Sequence, residues 1–501
     1  MTTDLDKDDF DNLSDEIDGI VDEIKAAAKA GEKGVTILLI GEEGVGKTEM
    51  AKVLAKRAGK RLVSVSEDSD EATEEFDEDG NLVSTITYDA YDVRKADLKQ
   101  ANKLFEGNKD VILFFDEAED LMPPSQDSEK SSDPNNKIAT NRLIEENPIV
   151  TIMAVNDPRK FHRSFLDRFQ AKLFIDTPPT LARQSIWKSQ AEKVGVKLSD
   201  EDTLYLARNY EIAPRKIVMP LKAAARQPGK DALKVIENRL AGNAVNVSRI
   251  KAANPIPRDF STDLYEAESP DTVDDKTRHL IDLAKRNYPF SLFMTVGEGM
   301  EEEALLTYIA EQAKLNIDIV EADELMVETA FSNPLSNISN LFTSASNYKR
   351  MVGITNIHAL AEYAGNQKEW QESPVVQHFM REASRHNQPF AIVGSRKFAS
   401  DVASAKFRAM FSESMTLTDI DTARLPSIYQ RVLGVPLPDG IAFSEQDETK
   451  IRLSDLYAAK TLMRRMADTQ DPHHVYDLVM RQKQAREKTS AGQIGFSAQP
   501  S

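Results

Sequence analysis

The run ILLIGEEGVGKTEMAKVLAKRA, residues 37–58, constrains this chain more than any other stretch. A continuous aliphatic segment is followed by a glycine-containing turn and then an amphipathic helix. A strand apolar on every position must be covered on both faces, which calls for a parallel sheet between helix layers. The turn, Gly41-Glu42-Glu43-Gly44-Val45-Gly46-Lys47-Thr48, has phosphate-loop spacing and lies between strand and helix, where that pattern has mechanical meaning. Its glycines let backbone N–H groups curl toward phosphate oxygens, and the helix N-terminus adds partial positive charge. Lys47 is placed to reach the outer phosphates and Thr48 to ligate magnesium. Gly41, Gly44, Val45, Gly46, Lys47, Thr48 and Glu49 are the candidate nucleotide-binding residues.

The surrounding rhythm agrees with this reading. Apolar strands VTILLI, RLVSVS, VILFF, VTIMAV and KLFI alternate with helical segments, as in an α/β fold. After Pro178 and Pro179 the pattern becomes helical up to about residue 243. Asp116 and Glu117 follow the buried run Val111–Phe115, at the sheet edge that carries the phosphate loop. Asp116 is placed to hold magnesium and Glu117 to polarise an attacking water. Asn156 ends the strand TIMAV, where its amide could orient that water. Arg168, in SFLDRF, stands away from its own cradle and suits delivery to a neighbouring subunit, with Arg163 as its rival. Arg215, in APRKIVM, begins a helix from which it could reach back to the phosphates.

Most of this is written a second time. LFMTVGEGMEEEALLTYIAEQA, residues 292–313, repeats strand, turn and helix, and LAKRA at 54 against IAEQA at 309 fixes an ungapped offset of 255 (309 minus 54). VILFFDEAEDL then matches MVGITNIHALA, NPIVTIMAVNDPRKF matches QPFAIVGSRKF, and TLARQSIW matches DTARLPSIY, in the same order. The offset sets Glu302 opposite Lys47 and Glu303 opposite Thr48. The matching blocks set Asn356 and Ile357 opposite Asp116 and Glu117, Ser395 at the asparagine strand, and Lys406-Phe407 opposite Arg168-Phe169. A carboxylate about 4 Å from a phosphate charge is repelled by roughly 4 kcal/mol at an effective dielectric near 20. The second copy is therefore expected to keep the scaffold without the chemistry.

With 501 residues, 82 acidic against 63 basic, the chain has room for several domains and a net charge of −19. That charge disfavours broad nucleic-acid or anionic-membrane binding. With no cysteine and seven histidines, disulfide and thiolate chemistry are excluded, and His358, His378, His386, His473 and His474 do not fall at ligand spacing on one helix. No apolar stretch reaches membrane-spanning length, and the expected location is the cytoplasm.

Phosphate loop, DE-terminated strand, asparagine strand, LDRF arginine and a helical segment with PR resemble, in that order, the AAA+ ATPases, and residues 33–243 resemble one such module throughout. The resemblance implies two P-loop NTPase modules, each a parallel sheet sandwiched by helices with a small helical lid, the first active and the second degenerate. It makes Lys47 and Thr48 the Walker A pair, Asp116 and Glu117 the Walker B pair, Asn156 sensor 1, Arg168 the arginine finger and Arg215 sensor 2. ATP and Mg2+ are the implied cofactors, bound between subunits of a homo-oligomeric ring, commonly a hexamer. Two departures stand out. Glu42 and Glu43 replace prolines common in the family, and EDSDEATEEFDEDGNLVSTITYDAY lacks the aromatic–apolar–glycine triplet that grips threaded polypeptide, which argues against threading. That acidic stretch reads as a loop or hairpin around Asp79-Gly80, with Tyr88 and Tyr91 as candidate substrate contacts.

The expected organisation is an acidic N-terminal helix (1–30), an α/β domain (31–176), a helical lid (177–243) and a linker (244–276). A second α/β domain (277–416), a second lid (417–484) and a tail without order (485–501), carrying Ile494 and Phe496 as a docking motif, complete it. The expected function is ATP-driven remodelling or assembly of a macromolecular partner, a protein client or adaptor. A nucleotide-gated scaffold with little turnover is the alternative, and a nucleic-acid-stimulated motor a weaker one.

Overall fold

The computed structural model describes residues 13–30, 34–65, 73–76, 82–86, 90–105, 108–121, 144–145, 147, 149–158, 166–242, 256–257, 260–267, 272–297, 299–329, 332–364, 370–418, 420–421, 423–441, 451–465 and 471–490. The chain divides into two compact units, residues 1–178, 182–203 and 211–250, and residues 179–181, 204–210 and 251–501.

The first unit opens with α1 (Ser14–Ala30), whose Ile17, Ile20, Val21 and Ile24 are buried in one cluster with Met50, Ala51 and Leu54 of α2 (Lys47–Ala58). The acidic face of α1 remains outward, as a stripe of apolar residues at three- and four-residue spacing dictates. Five strands make the sheet: β1 (Thr36–Ile40), β2 (Arg61–Val65), β5 (Val111–Phe115), β6 (Thr151–Val155) and β7 (Ala171–Phe174). Their order is β2-β5-β6-β1-β7 and every pairing is parallel. Every residue of β1, β5 and β6 is buried, which accounts for their unbroken apolar sequences. Within the acidic stretch after β2, β3 (Thr73–Phe76) and β4 (Leu82–Ile86) pair antiparallel, and α3 (Ala90–Leu104) comes next in sequence. Asp79, Gly80 and Tyr88 lie outside the described residues. Four helices follow β7: α4 (Thr180–Val194), α5 (Asp200–Asn209), α6 (Pro214–Ala225) and α7 (Ala232–Gly242).

The second unit repeats the plan. Its strands are β8 (Glu266–Ala267), β9 (Ser291–Val296), β10 (Ile317–Glu321), β11 (Met351–Thr355), β12 (Phe390–Ser395) and β13 (Glu413–Thr418), in the order β10-β11-β12-β9-β13-β8. Dropping β8, which pairs antiparallel with β13, leaves the strand order of the first sheet. Helices α8 (Val273–Lys285), α9 (Glu302–Gln312), α10 (Pro334–Tyr348) and α11 (Pro374–Arg385) cover it, and α12 (Leu425–Leu433), α13 (Leu453–Arg465) and α14 (Pro472–Ser490) follow β13.

Three expected boundaries shift. Segment 244–276 holds β8 and the start of α8, because Leu264, Tyr265 and Val273 bury into the second core. β13 runs to Thr418, past the expected end of its domain at 416. Helix α14 continues to Ser490, beyond the expected boundary at 484; Arg486 lies on that extension and clasps the buried Asp455 carboxylate with two bonds of 2.9 Å. Ile494 and Phe496 lie outside the described residues.

Candidate nucleotide site

Strands β5, β6 and β1 are neighbours, so their C-terminal ends bring residues 47, 116 and 156 to one edge. Ile40 pairs with Val155, and Gly41 and Asn156 therefore leave the sheet at one level. The loop between β1 and α2 needs positive φ at Gly44 (83°) and Gly46 (111°), the conformation a side chain resists. At Gly44 a Cβ would also lie 2.7 Å from Cβ of Arg215, so the stem of that arginine rests on the loop. Helix α2 begins at Lys47 with Gly46 as its left-handed cap, leaving the first turn without a side-chain cap.

Three neutral oxygens hold the Lys47 ammonium: it donates to Gly41 O (2.8 Å), Glu42 O (3.0 Å) and Asn156 Oδ1 (2.7 Å). Burial lowers its pKa from the ordinary lysine value, opposed by the nearby carboxylates of Asp116, Glu119, Glu43 and Glu117. A partly desolvated ammonium on neutral acceptors is poised to exchange them for phosphate oxygens. Thr48 Oγ1 lies 3.4 Å from Asp116 Oδ2, a pair of hard oxygen donors of the kind magnesium takes together with substrate phosphates. Glu117 is exposed at φ 52°, its N–H bonded to Asp116 Oδ1. These residues fit a magnesium–nucleotide: backbone curl, free helix terminus, one ammonium and two oxygen ligands converge. Among the described residues no cluster of three or more His, Asp or Glu side chains could hold a metal without such a ligand.

The two arginines are engaged elsewhere. Arg168, in the turn before β7, is ion-paired with Glu145. Arg215, at the start of α6, pairs with Glu43 of the loop at 2.9 Å, both largely exposed. Arg163 lies outside the described residues. Glu119 went unnoticed in the sequence: it accepts a hydrogen bond from the Asn156 backbone N–H. Its signal was the third-residue spacing from Asp116 in DEAED, meaningful only because residues 118–121 form a 3-10 turn.

In the second unit the loop before α9 keeps the shape of the first. Gly299 (φ 69°) answers Gly44, Glu301 (φ 54°) answers Gly46, and α9 begins at Glu302 as α2 begins at Lys47, all at the offset of 255. The sheet corrects one equivalence. Phe115 aligns with Met153 as Ile354 does with Ile392, which puts Thr355 and Asn356, rather than Asn356 and Ile357, at the positions of Asp116 and Glu117. The positive φ of Asn356 (54°) matches that of Glu117. Sequence matching missed this because the strands slide by one residue without altering their apolar pattern. Neither replacement carries a carboxylate, and Asn356 Nδ2 donates to Asp323 Oδ1 at 2.6 Å. Ser395 sits at the level of Asn156. Phe407 lies six residues before the start of β13, whereas Phe169 lies two before the start of β7, so the Lys406–Arg168 equivalence is not reproduced in the backbone.

The second loop is also packed by its own chain. Ser454 N donates to Gly299 O (3.2 Å) and Tyr265 OH to Glu301 O (3.0 Å). Burial, with Glu302 and Glu303 adding to it, pushes the Glu301 carboxyl up to about 7, and burial also raises that of Glu302. Between about pH 4.5 and 7 the folded chain thus holds a proton on Glu301 that the unfolded chain has lost. This contribution to stability is present below that window and disappears as pH rises through it, by about 3 kcal/mol. Glu301→Gln is expected to flatten the pH dependence of the second unit's unfolding between pH 5 and 7.5, read by denaturant melts; an unchanged slope would show that Glu301 titrates normally.

A phosphate-binding loop at the head of a parallel strand, beside an acid-terminated strand and an asparagine, defines a P-loop nucleotide-binding protein. Residues 37–177 match the family described as "ATPase family associated with various cellular activities (AAA)", a match that spans less than a third of the chain. These residues form one AAA+ ATPase module; the second is a similarly folded parallel-sheet module outside the matched range. No curated protein matches the chain. No described helix is long and apolar enough to cross a membrane.

Proposed function

We propose that the first module hydrolyses Mg-ATP inside a homo-oligomeric ring, a hexamer by family analogy, and that the movement remodels or assembles a protein partner. The observation that carries this reading is the bond from Lys47 to Asn156, 109 residues apart in sequence, at a loop of phosphate-binding shape. Thr48 and Asp116 would hold magnesium, which when bound neutralises phosphate charge. Glu117 polarises the attacking water and Asn156 orients it. Arg168 acts on the neighbouring subunit's nucleotide, and Arg215 closes from the lid. The second module is catalytically silent and structural: Glu302 replaces the lysine, Thr355 and Asn356 replace the carboxylates, and Ser454 and Tyr265 bond to loop carbonyls.

Lys47→Ala is expected to weaken ATP binding by about 100-fold or more, through loss of a charge-assisted contact to the outer phosphates. Calorimetric titration of the full chain checks this; wild-type affinity in the variant would remove the phosphate loop from the account. A nucleotide-gated scaffold with slow turnover is the second reading, favoured by the pairing of Arg168 with Glu145 in the single chain. ATP-dependent assembly with negligible hydrolysis, unstimulated by any partner, would select it.

A further inference from the structure

Along β6, the ladder to β5 runs as far as Phe115 opposite Met153, while β6 and β1 continue together to Val155 and Ile40. The Asn156 N–H therefore emerges beyond the last β5 pairing, and a backbone donor left without an acceptor there is costly. The chain answers with a side chain: Glu119, on the 3-10 turn Ala118–Leu121 anchored by the fully buried Ala118, accepts that N–H through Oε1. Its second oxygen, Oε2, is buried without a hydrogen-bond partner among the described residues. Resting on the ATPase reading above, we propose that Glu119 is a positioning residue for hydrolysis. It holds the Asn156 backbone so that the carboxamide stays at the head of β6 when Lys47 exchanges Asn156 Oδ1 for phosphate.

The geometry distinguishes this from mere satisfaction of a strand end. Asn156 is tied at both ends, by Glu119 on its N–H and by Lys47 on its Oδ1. Nucleotide takes away the second tie, and Glu119 is then the hold that fixes where the amide points. In the second unit the corrected register (356 minus 117 is 239) puts His358 at the position of Glu119, an imidazole where the first module has a carboxylate. The acid is thus present where the Asp116–Glu117 pair is present and replaced where that pair is replaced.

The test uses the full-length chain and Mg-ATP turnover with Glu119→Ala, Glu119→Gln and Glu119→Asp, alongside titration with a non-hydrolysable ATP analogue and thermal melting. Glu119→Ala is expected to lower kcat about 10- to 100-fold with KM and analogue affinity within about threefold of wild type. Glu119→Gln, whose amide oxygen still accepts the N–H, is expected to stay within about threefold of wild type. Glu119→Asp, one methylene too short, is expected to behave like alanine, and it carries the comparison with glutamine if the alanine variant does not fold. Wild-type kcat in Glu119→Ala, a glutamine variant as impaired as alanine, or analogue binding lost in step with kcat would each overturn the positioning role. Wild-type protein without turnover, or with turnover insensitive to Lys47→Ala, would overturn the ATPase reading itself, and this inference with it.

Discussion

Arg168→Ala is expected to reduce turnover by about 10³–10⁵ while leaving ATP binding intact, because an arginine supplied to a neighbour's transition state acts on developing phosphate charge rather than on the ground state. Arg168 is half-buried and paired with Glu145 in the single chain. Under the proposed trans arrangement, contact with a neighbour's triphosphate would have to win it from a carboxylate, which would couple activity to assembly. Mixing supplies the decisive measurement. Chains with Arg168→Ala keep an intact cradle, and chains with Lys47→Ala keep an intact arginine, so each is expected to be inactive alone. Together they should recover activity at interfaces where an Arg168-bearing subunit faces an intact cradle. Absence of recovery, or a monomer that hydrolyses at full rate without Arg168, would sink the trans arrangement.

Glu117→Gln is expected to lower hydrolysis by about 10²–10⁴ and leave ATP trapped, since the amide cannot accept the water's proton but preserves the size of the side chain. Glu117 is exposed at the end of β5 with positive φ, and its backbone N–H is held by Asp116. The substitution should leave the strand end in place. Single-turnover quench experiments separate retained binding from lost chemistry, and an unchanged single-turnover rate would reassign the general base. The trapped form is also the bait of choice for capturing a client from the native host.

The two predictions draw on differently legible parts of the chain. The places of Lys47, Thr48, Asp116 and Asn156 in the loop and at strand ends were readable because glycine spacing and strand-ending positions are local properties, each written within a dozen residues of its own strand. The duplication was readable for the same reason: Gly299, Glu301 and Glu302 reproduce the backbone of Gly44, Gly46 and Lys47 at a constant offset. The apolar pattern alone places β11 one residue out of register, because two apolar runs look alike when slid past one another and only hydrogen-bonded register fixes their level. The role of Glu119 and the Arg168–Glu145 pair are not legible in the sequence because each contact joins residues distant along the chain.

The sequence by itself determined that this chain builds a doubly covered parallel sheet twice, and that one copy places an ammonium and the other a carboxylate at the head of the loop helix. Hydrophobic period and glycine placement act over a few residues, so they can be read along a line. Tertiary structure alone decided which strand end stands beside which, what satisfies the Asn156 N–H, which carboxylate restrains Arg168, and that Ser454 and Tyr265 pack against the second loop. Those are contacts between segments tens to more than a hundred residues apart, fixed by sheet order and burial rather than by any local preference.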